Sequence, residues 1–256
     1  MKKSKKNDFF VILICFILFG YSIFVGSPIQ NNTNIINLFV LVVFFIYIVC
    51  ILVKNIKYKI IKRKIDIFII MLVFSSFISL IFQNYANLEA TIEYIIKYTA
   101  ILSFYLMIRD FILIDSKYTN YILNTLIISS LGIFILGLDN LTFNFFKGFI
   151  KITNNVEIAN KDNRFLGIFG YANTTAILML VTSIISSNMY LKASSKIKKF
   201  YSLIIFISIL AIIMSYSRAV WIITLIAYLI LFCIIKDNKI DFLELIVRIR
   251  CFKYNK

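Results

Sequence analysis

The chain has 256 residues, 61% of them hydrophobic and 16% charged, with a mean hydropathy of +0.91. A soluble domain is nearer half apolar and a quarter charged, so a single water-soluble core is excluded and lipid is the expected solvent for most of the surface. The formal charge of +16 arises from 28 basic and 12 acidic residues, but the basic residues lie between apolar runs, where they set topology rather than contact nucleic acid.

A spanning helix takes about 20 mostly apolar residues. Such runs lie at approximately 9–26, 35–53, 65–82, 92–114, 118–138, 165–190, 200–215 and 219–235. They predict an all-α, polytopic transmembrane helix bundle of about eight spanning helices. The first run follows four lysines within 2–6 and has no small-x-small cleavage site over 20–29, so it reads as an uncleaved helix rather than a signal peptide. The last two runs are broken only at Ser215, Tyr216, Ser217 and Arg218. As one helix, 200–235 would reach ~54 Å, too long for a ~30 Å hydrocarbon core, so a tight hairpin turning there is predicted. One transmembrane domain is expected over 1–238. In the tail, 239–256, an apolar start is cut by Asp241, Glu244, Arg248 and Arg250; it reads as the approach to a further helix.

Basic residues alternate between connections. Four precede the first helix, none fall in 27–34, six fall in 54–64 and none in 83–91; Arg109 and Lys117 flank the next turn, four lie in 192–199 and six from Lys236 onward. The positive-inside trend puts these on the cytoplasmic side together with both termini. It leaves Lys147, Lys151, Lys161, Arg164 and Arg218 outside. Within the polar external loop 139–163, the apolar-aromatic stretch 141–152 is suited to lying on the membrane surface. Cys15, Cys50, Cys233 and Cys251 show no CxxC spacing, and the chain has no His. Neither a metal site, a disulfide framework nor a cofactor is expected.

Ionisable groups within or beside spanning helices are the functional candidates. Glu89, Glu93 and Lys97, each four apart, share a face at the outer end of the fourth run. Lys97 has a plain alternative, an ion pair with Glu93 one turn away. Arg164 stands at the outer end of the sixth run, where an interfacial anchor snorkelling to water is the competing reading. Arg218 interrupts a long apolar run against the positive-inside trend, which is harder to explain without a ligand. Two outward guanidiniums beside apolar helices suit a lipid phosphate or diphosphate, whose oxygens match the planar fork of Arg.

The segment Arg164-Phe165-Leu166-Gly167-Ile168-Phe169-Gly170-Tyr171-Ala172-Asn173 resembles the Arg-x-x-Gly-x-Phe-Gly-x-x-Asn segment of the O-antigen ligase and O-antigen polymerase family. Ser215-Tyr216-Ser217-Arg218-Ala219-Val220-Trp221 resembles the Ser-Arg-small-apolar segment that follows it. The direct resemblance covers about 164–235. It implies an inverting, metal-independent glycosyltransferase of cell-surface polysaccharide biosynthesis in the cell envelope, located in the plasma membrane with its active face outside. Such a protein passes a glycan from a polyprenyl diphosphate carrier to an acceptor hydroxyl, with no cofactor. Arg164 and Arg218 would hold the diphosphate and stabilise it as a leaving group. Lys97, Glu93 and Asn173 are the accessory candidates. On a continuous sixth helix Asn173 would lie ~13 Å below Arg164 and bond to a neighbouring helix, while Gly167 and Gly170 would admit a close helix or lipid chain.

The chain departs from the family pattern in two places. Tyr171-Ala172 stand where the family often has Asn-Pro, and the His that is a candidate general base in ligases has no counterpart. No catalytic residue is assigned. These departures and the charged tail lead to the expectation of an N-terminal fragment. Two other readings stay open: a transporter or flippase of lipid-linked glycans, and a non-catalytic membrane remnant. Membrane lipids, the carrier-linked glycan and a glycan or lipid acceptor are the expected partners.

Overall fold

A computed structural model describes residues 2–24, 30–53, 60–82, 88–142, 145 and 164–235. The stretch 143–163 other than Phe145, and the 239–256 tail, lie outside the described residues. All regular structure among the described residues is α-helical: α1 Lys2–Phe24, α2 Gln30–Val53, α3 Lys64–Phe82, α4 Leu88–Ile114, α5 Lys117–Thr142, α6 Ala172–Lys192, α7 Ser195–Met214 and α8 Arg218–Ile234. Four of these are long and apolar enough to cross a membrane, over Asn34–Val53, Lys117–Asp139, Ala172–Lys192 and Ser195–Met214.

Each apolar run of the sequence yields one helix, with one correction. The run at 165–190 is not a helix throughout. Residues 164–171 form a turn-rich segment and α6 starts only at Ala172. Gly167 and Gly170 take φ values of +61° and +69°, a left-handed conformation incompatible with helix propagation. Hydropathy read the buried aromatics of this segment as about two more helical turns.

The chain divides into two compact units. The first comprises residues 1–21 and 29–122. Here α4 packs against both α2 and α3. Val11, Ile14 and Ile17 of α1, and Val40, Val43 and Tyr47 of α2, recur at about one-turn spacing and are buried, together with Met107 and Phe111 of α4. Phe111 is ringed by Phe10 at 6.3 Å, Tyr47 at 5.7 Å and Tyr118 at 6.2 Å between centroids, within the range of favourable aromatic pairs. The opposite faces carry exposed Phe39, Phe45, Phe68 and Phe74. Such faces need lipid as their solvent.

This unit also buries charge. Arg109 on α4 lies 2.7 Å from Asp66 at the start of α3 and 2.7 Å from Asp110 beside it. Asp66 and Arg109 are 0% and 3% exposed. Asp66 Oδ2 accepts the backbone N–H groups of Lys62 and Arg63 at 2.7 and 2.8 Å, and Tyr105 donates to its Oδ1 at 2.7 Å. This is the carboxylate half of a capping box, made by the third residue of a helix reaching back to its N-cap. Asp110 accepts from Lys62 Nζ at 2.8 Å and from the Tyr47 hydroxyl at 3.1 Å, while Arg109 also donates to Ile60 O.

The second unit comprises 22–28 and 123–256. Its centre is α6, which packs most extensively on α7 and also on α8. Beside Met179, Leu180 and Tyr190, the buried side of α6 carries the small residues Ala172, Thr175, Ala176, Thr182, Ser183, Ser186 and Ser187, which permit close helix approach. Thr182 donates to Ser130 of α5 at 2.7 Å, and Tyr201 of α7 donates to Asn124 of α5 at 2.9 Å. On α8 only Val220 is buried.

Removing Arg109 leaves two buried carboxylates without their shared cation. Arg109→Met should therefore cost about 3–5 kcal/mol, read as a large drop in melting temperature in detergent. Lys117→Met removes a half-exposed ammonium 3.4 Å from Asp115 and should leave the melting temperature unchanged.

Candidate functional site

Arg164 and Arg218 both fall in the second unit. The site starts from the break between α7 and α8. Helix α7 ends at Met214, and Tyr216 adopts φ +53°, turning the chain at the place where the sequence is too long for one span. Ser215 Oγ donates to Ile212 O at 2.6 Å and accepts from Ser217 N at 3.2 Å. Across the hairpin, the indole Nε1 of Trp221 donates to the same Ile212 carbonyl at 2.9 Å. The chain's one Trp thus staples α8 to the end of α7.

The last carbonyls of a helix have no partner within it. Here the 164–171 segment supplies them. Phe165 N donates to Met214 O at 2.9 Å and Arg164 Nε donates to Ser215 O at 3.1 Å. Phe165 anchors the contact. It is wholly buried, 5.5 Å from the Phe134 ring, in a cluster with Ile168, Phe169, Ala211, Ile212 and Val220. Gly137 of α5 makes room for it, since a Cβ there would sit 2.7 Å from the Phe165 ring and 2.8 Å from Gly167 Cα. Thr175 Oγ1 lies 2.6 Å from Leu166 O and 3.2 Å from Tyr171 O, so its one proton satisfies the turn from inside α6.

The two motifs are therefore physically joined. Arg164 is bonded to the carbonyl of Ser215, three residues before Arg218. Arg218 is the first residue of α8 and is exposed, and among the described residues it forms no ion pair. Ser217, the N-cap of α8, makes no side-chain capping bond, so the positive end of the helix dipole points into the same region. A guanidinium, a half-buried second guanidinium and an uncapped helix N-terminus favour an anion with several oxygens.

Asn173 is not deep in a helix. It is exposed in the first turn of α6, because the preceding residues are not helical. Gly167 and Gly170 serve the left-handed turn; a Cβ on Gly167 would meet Thr175 Oγ1 at 2.6 Å. Glu93 and Lys97 belong to α4 in the first unit. Glu93 accepts from Asn34 Nδ2 of α2 at 2.8 Å. Lys97 is exposed, and among the described residues it forms no ion pair with Glu93.

Sequence reading missed the cluster of Asp66, Tyr105, Arg109 and Asp110. Arg109 counted only as a topology signal. The available clue was the adjacent Arg109-Asp110 pair inside the apolar run 92–114, since opposite charges together in such a run imply a buried polar contact.

The chain matches no protein-family model, no curated protein and no solved structure.

Gly167→Ala should destabilise the protein by about 2 kcal/mol or more, from left-handed strain and the Thr175 clash. Gly132 on α5 has nothing within 4 Å of a Cβ, so Gly132→Ala should be neutral or slightly stabilising. Thermal melts of the two variants in one detergent check the contrast.

Proposed function

We propose that this chain is a multi-pass plasma-membrane protein that binds a polyprenyl diphosphate-linked glycan through Arg164 and Arg218. All eight helices span in this reading, both termini are cytoplasmic, and the paired arginines face outward. The supporting observation is the bond from Arg164 Nε to Ser215 O, which brings the first arginine to the turn that ends in the second. The sequence resemblance to O-antigen ligases and polymerases supplies the reaction class.

In that reaction an acceptor hydroxyl oxygen attacks the anomeric carbon while the bond from that carbon to the diphosphate oxygen breaks. The polyprenyl diphosphate leaves with the electron pair, and the acceptor proton passes to a base. Attack opposite the leaving group inverts the anomeric centre. Positive charge fixed at the leaving oxygens is worth more in a water-poor site than in bulk solvent. The chain has no His, and we assign no residue to the base.

A second reading, translocation of the same lipid-linked glycan, draws on the buried hydroxyls of α6. Ser186 Oγ is buried without a hydrogen-bond partner among the described residues. Flux across vesicles without glycan transfer would favour it.

Trp221 lies three residues from Arg218, so its fluorescence reports on the site. Titration of the purified protein with a polyprenyl diphosphate should change that emission. Arg218→Ala should weaken the binding about 10- to 100-fold, the scale of a charge-assisted contact, with no loss of helicity. A polyprenol lacking phosphate should bind both proteins equally. Equal diphosphate affinity in wild type and Arg218→Ala would refute the site.

A further inference from the structure

The buried charges of the first unit have an unusual distribution of work. Asp66 and Asp110 spend their oxygens on the backbone and on Arg109, Lys62, Tyr47 and Tyr105. Arg109 in turn holds the carbonyl of Ile60. The backbone of residues 60–63 is thus tied inward at both its donors and its acceptor. The other side chains of this stretch lie at the surface: Ile60, Ile61 and Ile65 are 53%, 55% and 55% exposed, and Arg63 and Lys64 are exposed with them, while Lys62 reaches in to Asp110.

Three exposed isoleucines and the two cations Arg63 and Lys64 within six consecutive residues fit neither water nor hydrocarbon alone. They fit the boundary, where apolar side chains enter the acyl region and basic groups meet headgroup phosphates. Phe68, one turn into α3, is exposed as well. The acidic residue nearest in sequence, Asp66, is buried and neutralised by Arg109. Among the described residues Arg63 and Lys64 form no ion pair.

We propose that residues 60–65, held rigid by the Asp66–Arg109–Asp110 cluster, form a binding surface for the headgroups of anionic bilayer lipids. A preformed surface loses little ordering entropy on binding. That distinguishes it from a loose basic loop. The inference does not depend on what Arg164 and Arg218 bind.

The test uses the full chain in a neutral detergent, with native mass spectrometry of added phosphatidylglycerol and phosphatidylcholine of matched acyl chains. The protein should retain phosphatidylglycerol preferentially. Arg63→Gln with Lys64→Gln removes two charges whose side chains contribute no hydrogen bond to the cluster, so the melting temperature should hold. Phosphatidylglycerol affinity should fall about ten- to thirtyfold, at roughly one lipid-contact increment per basic residue, with phosphatidylcholine unchanged. Lys196→Gln with Lys199→Gln, removing two exposed charges from the start of α7, should change affinity less than about twofold on the same scale. An unchanged affinity in the first variant would overturn the proposal. So would an equal fall in the second, which would mean diffuse surface charge. Full displacement of phosphatidylglycerol by equimolar glycerol phosphate would also overturn it, since the site would then take a free anion rather than a bilayer headgroup.

Discussion

In an apolar solvent every backbone N–H and C=O must find a partner within the protein. A helix meets this condition by itself except at its ends, so the breaks between helices are where the fold is decided. Polar side chains close those breaks. Asp66 collects two N–H groups ahead of α3, Thr175 serves a carbonyl ahead of α6, and Ser215 and Trp221 share one at the end of α7. Their partners are main-chain atoms, which makes these contacts insensitive to the identity of the neighbouring side chains but sensitive to the exact path of the chain.

The arginines divide by the same logic. Arg109 is enclosed by two carboxylates and a carbonyl, and its charge is cancelled where it lies. Such a group fixes geometry and offers nothing to a ligand. Arg218 begins a helix whose own dipole adds to its charge, with its side chain exposed. Arg164 stands between these cases, half-buried, with Nε committed to a carbonyl. Charge that is locally cancelled is structural, and charge that is reinforced and left open invites an anion.

Among the described residues, the helix within each apolar run was legible because length and hydropathy suffice for it. The hairpin at 215–218 was legible because the largely apolar stretch 200–235 exceeds one span. The start of α6 was not, since hydropathy registers burial and the aromatic turn at 164–171 is as buried as a helix. The two glycines three apart carried the missing information, and a helix-packing reading of them obscured it. Long-range polar contacts were out of reach altogether. Asp66 and Arg109 are 43 positions apart, and spacing rules address only one or two turns. Even within a turn, the four-residue spacing of Glu93 and Lys97 gave way to Asn34 on another helix. The juxtaposition of Arg164 with the hairpin was suggested only by two separate motifs, each silent about the other.

The bond from Arg164 to Ser215 spans 51 positions in the chain. A ribosome adds about 5–20 residues per second, so this separation corresponds to roughly 3–10 s of synthesis. During that interval the 164–171 turn has been made and its cap has not. Helix α6 leaves first, and the carbonyls that receive Arg164 and Phe165 come at the end of α7. The arginine turn can therefore close on α7 only after that helix has been made.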